Sequence, residues 1–344
     1  MSNRDVVVIG ASSGGVEALR RLVAELPADL PATVFVVIHL PEGASSVLPK
    51  ILNRAGPLPA VHPEDGQEIL PGHIYVAPPD HHLLVDAGRV VLARGPKENL
   101  HRPAVDPLFR SAAVDYGDRV VGVVLTGARN DGTAGLLAVK RRGGVAVVQD
   151  PEDAQMPFMP ESALTYVDVD HVANLREMPG LLEHLVLEPL PDGEVIPLPK
   201  DMEREARVAR GELRPPEDLA QTGGPSPFSC PECHGPLWEI QDEGLTRFRC
   251  RVGHALTFET MLDEQAGAIE DALYTALNTL QENAGISTRL AKSSRERGRE
   301  GAAAHFESRA DDARRKAEQI RRILLAGGPE GSIDLAPPEP HAGM

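Results

Sequence analysis

The sequence has few aromatic residues, only three cysteines, no long apolar run and no excess of positive charge. Aromatic residues make up 3% of the chain, so its hydrophobic cores must be built from Val, Leu, Ile and Ala. No apolar stretch reaches the ~20 residues that a membrane-spanning helix needs, and the first apolar run is too short for a signal peptide. We therefore expect no membrane insertion.

The formal charge of −16 argues against a nucleic-acid-binding protein, because binding to a duplex needs a net basic surface. An odd number of cysteines excludes a closed set of disulfides within the chain. Unpaired cysteines are typical of the reducing cytoplasm, where we expect this protein to work. The 344 residues are enough for one large domain with a small appendage.

A turn of small residues, Gly10 to Gly14, joins a predicted buried strand (Val6–Ile9) to a predicted helix. Such a turn lifts Ser12 to the top of a sheet and aims the first amides of the helix at it. The spacing fits the G-x-S-x-G pattern of a nucleophile elbow. The alternative is a nucleotide-binding loop at Gly10–Gly15, although Ser12 replaces the second glycine of G-x-G-x-x-G. The turn alone does not distinguish a nucleophile elbow from a nucleotide-binding loop.

Two more polar residues follow buried strands. His39 comes directly after Val34–Ile38, and Asp131 comes after Val120–Leu125. Because the carboxyl ends of neighbouring parallel strands open on one crevice, Ser12, His39 and Asp131 should meet there. The simpler roles are packing for His39 and helix capping for Asp131. Together the three residues make up a Ser-His-Asp triad.

Six segments occur in the order of one enzyme family: VVVIGASSGG, FVVIHLP, IYVAPPDHHL, NLHRPAVDPLF, VVLTGARNDGTAG and MPESAL. They resemble the motifs of the chemotaxis protein-glutamate methylesterase (CheB) catalytic domain, and we place that domain at residues 1–187. The resemblance implies a mostly parallel, doubly wound α/β sheet that hydrolyses γ-glutamyl methyl esters on chemoreceptors without a cofactor. It also implies glutamine deamidation in some relatives. Ser12 would be the nucleophile, His39 the general base and acid, and Asp131 the group that orients the imidazole.

Further residues are expected around the reacting atoms. Backbone N–H groups at Ser13 or Gly14, and in the loop at Ala128, would bind the oxyanion. The family carries methionine in that loop, where this chain has Ala128, so only a backbone donor is expected there. His101 and Arg102 match a further family motif and would line the cleft, while a role in stabilising their loop is equally open.

The resemblance also bears on partners and regulation. It implies a methylated chemoreceptor or receptor-like protein as partner, with a cognate methyltransferase complex as an open option. Many relatives begin with a phosphate-accepting receiver domain, whereas here the first strand starts at Asp5. We therefore expect an activity that aspartyl phosphorylation within this chain does not gate. A signalling scaffold with an idle triad, and a nucleotide-binding protein, remain as alternatives.

Residues 188–228 contain eight prolines among charged residues and predict a stiff, exposed linker, with one short helix around Met202–Arg210. The next segment, 229–258, has the spacing C-x2-C…C-x3-H and two strand-like runs, Leu237–Ile240 and Thr246–Phe248. This pattern predicts a zinc ribbon with a structural Zn²⁺. The four ligands would be Cys230, Cys233, Cys250 and His254, with His234 as second choice for the histidine.

Three arginines of the ribbon, Arg247, Arg249 and Arg251, lie among acidic residues, so a protein-facing or purely structural ribbon is favoured over a nucleic-acid-binding one. Apolar residues then recur at steps of three and four in two stripes, one from Leu262 to Leu280 and one from Ala303 to Leu324. They predict an antiparallel helical hairpin over 259–327, which could also dimerise or dock on a receptor bundle. The tail, 328–344, should be disordered.

Overall fold

The structure is a computed structural model that describes residues 3–40, 43, 45–190, 196–212 and 223–326. The chain divides into two compact units, and the boundary along the sequence falls between Leu262 and Asp263. The tail expected to be disordered, 328–344, lies outside the described residues, as do 191–195 and 213–222 of the expected linker. Among the described helices, none combines the length and apolar character needed to cross a bilayer.

In the part of the chain that the structure describes, nine strands precede the linker. They are β1 (Val6–Ala11), β2 (Thr33–Ile38), β3 (Ala60–Val61), β4 (Ile74–Val76), β5 (His82–Asp86), β6 (Arg89–Ala93), β7 (Val120–Val124), β8 (Val145–Gln149) and β9 (His171–Ala173). Seven of them form one parallel sheet in the order β3-β4-β2-β1-β7-β8-β9, while β5 and β6 form an antiparallel hairpin. The predicted parallel α/β class is confirmed.

Among the described residues, the two faces of the sheet are covered by the helices α1 (Gly15–Ala24), α2 (Leu48–Ala55), α3 (Val105–Tyr116), α4 (Thr133–Arg141), α5 (Phe158–Tyr166) and α6 (Met178–Leu187). Alternate residues of β1 enter opposite cores. Ile9 packs in the same cluster as Leu19 of α1, and Val8 in the same cluster as Phe109 of α3. Burial on both faces explains why these strands are continuous apolar runs.

The strand register brings the ends of β1, β2 and β7 together. Ala11 pairs with Ile38, so the next residues along the two strands are Ser12 and His39. On the other side of β1, the Leu125 amide donates to the Gly10 carbonyl at 2.9 Å. A Cβ at Gly10 would lie 2.3 Å from Cγ1 of Val105, so close packing under α3 requires the glycine.

The expectation of an exposed linker is wrong for one stretch. Helix α7 (Lys200–Ala209) buries Met202, Ala206, Val208 and Ala209, and Met202 belongs to the core beneath α3. Met202, Ala206 and Ala209 recur at steps of four and three, so they share one face of the helix, and that face packs on the sheet domain. Val208 lies on another face, near Gly253 of the ribbon. Proline flanks the helix at Pro197 and Pro199 without exposing it.

The cysteine-containing segment forms a four-stranded antiparallel sheet. Its strands are β10 (Gly224–Ser229), β11 (Pro236–Asp242), β12 (Leu245–Cys250) and β13 (Ala255–Thr257), paired in that order. The two strand-like runs of the sequence lie within β11 and β12. The core of this sheet is small, with Leu237, Phe248, Leu256 and Met261 around two cysteines.

Buried ion pairs join this ribbon to α3 and α7. Arg249 on β12 is 3.2 Å from Oε1 of Glu98 and 3.3 Å from Oε2 of Glu205. Arg110 on α3 reaches Glu98 at 2.6 Å, and Arg247 reaches Glu205 at 2.9 Å. Burial alone would raise the pKa of Glu205, but the guanidinium groups hold that pKa well below its usual range. Three arginines thus share two glutamates, the buried Glu98 and the largely buried Glu205.

These pairs also locate the arginines of the ribbon. Arg247 and Arg249 are buried, whereas Arg251 is exposed beside the ring of Trp238. Two of the three basic groups are therefore used inside the protein and cannot contribute to a basic surface.

The second unit contains most of a helical hairpin, formed by α8 (Phe258–Glu296) and α9 (Glu300–Ala326). Four alanines of the α9 stripe are buried, namely Ala303, Ala310, Ala313 and Ala317. On α8, however, Leu262 and Ile269 of the expected stripe are 51% and 62% exposed. After Thr260 and Met261 in its first turn, the next buried positions of α8 are Ala284, Ser287 and Ala291.

The difference between the predicted and the observed buried positions of α8 follows from the unequal lengths of the two helices. Helix α8 has 39 residues and α9 has 27, so α8 extends beyond its partner by about three turns. Because the loop between them is short, α9 packs against the later part of α8 and leaves the start of the predicted stripe uncovered by α9.

We predict that Arg249→Met lowers the free energy of unfolding by about 3–5 kcal/mol, because it leaves buried glutamate charge with one fewer partner. Trp238 is the only tryptophan and lies on β11, so its fluorescence during urea denaturation reports this unfolding. Arg251→Met is the matched control, since that side chain is exposed, and should cost about 0.5 kcal/mol or less. Equal midpoints for the two variants would contradict the prediction.

Candidate functional site

Ser12, His39 and Asp131 form a continuous hydrogen-bonded chain. His39 Nδ1 is 3.0 Å from Ser12 Oγ, and His39 Nε2 is 2.7 Å from Asp131 Oδ2. When Nε2–H donates to the carboxylate, Nδ1 keeps its lone pair and accepts from the serine hydroxyl. The ring is turned relative to the chymotrypsin-like arrangement, where Nε2 faces the serine, but its donor and acceptor roles are the same.

Asp131 is buried and accepts hydrogen bonds on both carboxylate oxygens. The Val105 amide donates to Oδ2 at 2.7 Å, and the Asn99 side-chain amide donates to Oδ1 at 3.0 Å. Burial alone would raise the pKa of Asp131, but the hydrogen bonds from His39 and Val105 hold it below its usual range. The carboxylate is therefore ionised and fixed in orientation.

The capping role considered for Asp131 belongs to Asp106 instead. Helix α4 starts at Thr133 with Gly132 as N-cap, and the amides of Gly132 and Gly135 donate to Asp106 Oδ1 at 3.0 and 2.6 Å. Burial, together with the charges of Asp131 and Glu98, raises the pKa of Asp106 to about 8. Asp106 thus anchors the turn that presents Asp131.

Asn99 connects these two carboxyl groups. Its side-chain amide donates to Asp106 Oδ2 at 2.9 Å as well as to Asp131. Its φ of 50° lies in the left-handed region, which asparagine adopts more readily than most residues. The sequence interpretation missed Asn99 and Asp106 as site residues, although both lie in the NLHRPAVDPLF segment. Their place in this family motif is the sequence feature that could have identified them.

The structure brings His101 and Arg102 to the same cleft. The rings of His101 and His39 stack with centroids 3.6 Å apart. Burial, reinforced by neighbouring His39, lowers the pKa of His101 to about 3, so its ring is neutral near pH 7. The guanidinium of Arg102 is held by Asp80 at 2.9 Å and by the Gly95 carbonyl, also at 2.9 Å.

The cleft beside His39 has a volume of about 370 Å³. It is lined by His39, Leu40, Asp80, Lys97, Leu100, His101 and Arg102. The His39 imidazole, which contacts Ser12, thus forms part of the wall of this cleft.

The candidate oxyanion donors lie on both sides of Ser12. Ser13 and Gly14 precede α1, and within the described chain no acceptor is bonded to either amide. On the other side, Gly127 is fixed by two backbone hydrogen bonds of 3.0 Å, to Met156 and from Met159, just before Ala128. Gly14 has a φ of 80°, and a Cβ there would lie 2.7 Å from Oε1 of Gln155.

Cys230, Cys233, Cys250 and His254 form a compact cluster whose ligand atoms all lie within 4.8 Å of one another. The sulfurs of Cys233 and Cys250 are 3.6 Å apart, and His254 Nδ1 is 3.7 Å from the sulfur of Cys230 and 3.6 Å from that of Cys250. A tetrahedral zinc with bonds of about 2.3 Å to sulfur and 2.0 Å to nitrogen needs edges of roughly 3.5–3.8 Å.

The donor set therefore fits Zn²⁺, and none of the three cysteines is in a disulfide. His234, the second choice for the histidine, is exposed and lies outside the cluster. With four protein ligands, the site leaves no open position for substrate.

The family model described as CheB methylesterase matches residues 7–182. A relative from Geobacter metallireducens, named protein-glutamate methylesterase/protein-glutamine glutaminase 1, is 41% identical over 53% of this chain and 51% of its own length. A relative from Leptospira interrogans, whose name gives the same two activities as a provisional assignment, is 36% identical over 53% of this chain and 95% of its own length. The chain thus spans about half the length of the first relative and nearly all of the second.

A solved structure is also similar. The crystal structure of the Thermotoga maritima CheB methylesterase catalytic domain superposes with a TM-score of 0.51 at 36% sequence identity. The match covers 54% of this chain and 100% of that one. The similarity is therefore to the sheet domain.

We predict that His101→Phe makes stability less dependent on pH in mild acid. The pKa of His101 falls from 6.5 to about 3 on folding, so the unfolded chain binds more protons between these values. The wild type therefore has this stabilisation above pH 6.5 and loses it as the pH falls towards 3. Phenylalanine keeps a flat ring against His39 but does not titrate.

The measurement is urea denaturation of both proteins at a series of pH values from 7 to 4. The free-energy difference between wild type and variant should shrink or change sign as the pH falls. Parallel pH profiles for the two proteins would show that His101 is not the group responsible.

Proposed function

The chain belongs to the CheB methylesterase family, and from this premise we propose that it is a serine hydrolase of γ-glutamyl methyl esters on a chemoreceptor-like protein. One observation carries the proposal. The Ser12 hydroxyl, the His39 imidazole and the buried Asp131 carboxylate are joined by contacts of 3.0 and 2.7 Å. No catalytic cofactor is needed for this chemistry.

In the acylation step, Ser12 Oγ attacks the ester carbonyl carbon while His39 Nδ1 takes the hydroxyl proton. Asp131 stabilises the imidazolium that forms. The backbone N–H groups of Ser13 or Gly14, with one from the loop at Ala128, bind the oxyanion. Collapse of the tetrahedral intermediate breaks the bond to the methoxy oxygen, which leaves as methanol with the proton from His39.

In the deacylation step, water attacks the glutamyl–Ser12 ester and gives a proton to His39. The carbon–oxygen bond to Ser12 then breaks, the proton returns to the serine, and a free glutamate side chain leaves. An amide in place of the ester would release ammonia by the same steps, which would account for the glutaminase activity in the relatives' names. We propose deamidation as a second reaction of this site.

We place the reaction in the cytoplasm, where receptor helices carry such esters and where the cysteines would stay reduced. The substrate partner would be a methylated receptor or receptor-like protein. A complex with a cognate methyltransferase, and dimerisation through the α8–α9 hairpin, are further parts of the proposal. His101 and Arg102 would form the wall against which the glutamyl chain lies.

We also propose that Cys230, Cys233, Cys250 and His254 bind one structural Zn²⁺. The spacing of their ligand atoms supports this, as does the small core of the ribbon. So small a core rarely stabilises a fold without a metal or disulfides.

We predict that Ser12→Ala lowers the rate of methanol release from methylated receptor by about 10⁴-fold or more, because the nucleophile is lost. The matched control is Ser13→Ala, since Ser13 would act through its backbone amide and its side chain is exposed. That variant should keep most of the activity. Methanol release by Ser12→Ala at the wild-type rate would contradict the assignment.

A fluorophosphonate probe separates the alternatives. Stoichiometric labelling of Ser12 that disappears in His39→Ala supports the hydrolase. Tight nucleotide binding without labelling would instead support a nucleotide-binding loop at Gly10–Gly15, and absence of both would support a scaffold.

We predict one zinc per chain in protein purified without chelator, and loss of that zinc in Cys250→Ser. Elemental analysis and release to a colorimetric zinc chelator measure the content. His234→Ala is the control and should retain the metal. Zinc bound equally by Cys250→Ser and wild type would contradict the ligand set.

A further inference from the structure

The metal cluster and the catalytic carboxylate are linked by a short path. His254, one of the cluster residues, is followed directly by Ala255 at the start of β13. Ala255 pairs with the loop that precedes α3, because its amide donates to the Lys97 carbonyl at 3.3 Å and its carbonyl accepts from the Asn99 amide at 2.8 Å. The ribbon thus adds a strand to this loop.

The side chain of the same Asn99 donates to Asp131 Oδ1 at 3.0 Å. One peptide, one backbone hydrogen bond and one side chain therefore separate His254 from the triad carboxylate. Asn99 is buried and has a left-handed φ of 50°, and its amide is bonded to the Ala255 carbonyl.

A second path leads to the residue next to Asp131. The Asn130 side-chain amide donates to Thr257 Oγ1 and to Glu259 Oε2, each at 2.8 Å. The hydroxyls of Thr257 and Thr260 donate back to Asn130 Oδ1 at 3.1 and 3.4 Å. Asn130, Thr257 and Thr260 are buried, so no water replaces these bonds in the folded protein.

The first path ends on the Asp131 carboxylate and the second on the neighbouring Asn130, and both begin at the short β13 strand. A ribbon with so small a core depends on its metal for order, because metal binding and folding are coupled in such modules. Loss of the metal would release Ala255 and Thr257, and then Asn99 and Asn130 would lose their partners.

We propose that the zinc-loaded ribbon is a clamp that positions Asp131, so that turnover at Ser12 depends on a metal that never touches substrate. The inference rests on the proposed function. Asn99, Asn130 and Thr257 are positioning residues in this view. Removal of such supporting contacts typically costs about 10- to 100-fold in activity.

Thr257→Val tests the clamp without removing the metal. The change keeps the shape of the side chain and deletes the hydroxyl that faces Asn130. We expect one zinc per chain, an unchanged KM and a kcat about tenfold lower, because substrate binding is intact while the triad is loosened. Thr246→Val on β12 is the matched control, since that hydroxyl bonds to Gln241 alone among the described residues, and should behave as wild type.

Zinc removal from the full-length wild type tests the same link from the metal side. Amide hydrogen exchange should rise in peptides covering residues 97–106 and 128–134, fluorophosphonate labelling of Ser12 should slow by about tenfold or more, and added Zn²⁺ should restore both. Exchange that is unchanged in these peptides would overturn the clamp, as would faster exchange with labelling unaffected.

The two proposals fail differently. If methylated receptor releases no methanol with any form, but Ser12 labelling and exchange still follow zinc, the proposed substrate is wrong and the clamp stands. If methanol release is robust and indifferent both to zinc and to Thr257→Val, the esterase stands and the clamp is wrong.

Discussion

The site depends on keeping one buried carboxylate ionised and correctly turned. Asp131 lies out of contact with water, where a lone charge would be neutralised by a proton. Donors from two segments prevent this: the His39 ring after β2, and the Asn99 side chain and Val105 amide of the segment that leads into α3. Because these donors come from distant parts of the chain, the fold of the whole sheet edge is what sets the state of a single side chain.

The charged residues beneath α3 likewise depend on partners from separate parts of the chain. Glu98 and Arg110 belong to the sheet domain, but their partners Glu205 and Arg249 come from the linker helix and the ribbon. Buried ion pairs add little net stability, yet they tolerate few alternative arrangements. These ion pairs therefore determine the position in which α7 and the ribbon dock, and contribute less to the stability of the docked arrangement.

The strands of the sheet and the three residues of the triad could be predicted from the sequence, because there the local hydrophobic pattern agrees with the burial in the folded protein. Apolar runs gave β1, β2 and β7, and the parallel-strand rule placed Ser12, His39 and Asp131 at one edge. At α7 the prediction of an exposed linker was wrong, because it relied on the flanking prolines. The spacing of Met202 and Ala206 indicated a buried helix face instead. Asn99 and Asp106 were missed because their partners Asp131 and Gly132 lie 25 to 32 residues further along the chain. The contact between α8 and α9 was misplaced because the apolar pattern carries no information on the relative lengths of the two helices.

The docking of α7 on the sheet domain bears on how this protein can be divided. A polypeptide that stopped at Leu187, five residues beyond the end of the matched family model, would uncover the apolar site of Met202 and would deprive Glu98 of Arg249 and Arg110 of Glu205. Such a piece would not be equivalent to a stand-alone catalytic domain. The sheet domain shares buried apolar and ionic contacts with α7 and the ribbon, so a substitution in either of these elements changes the environment of the sheet domain.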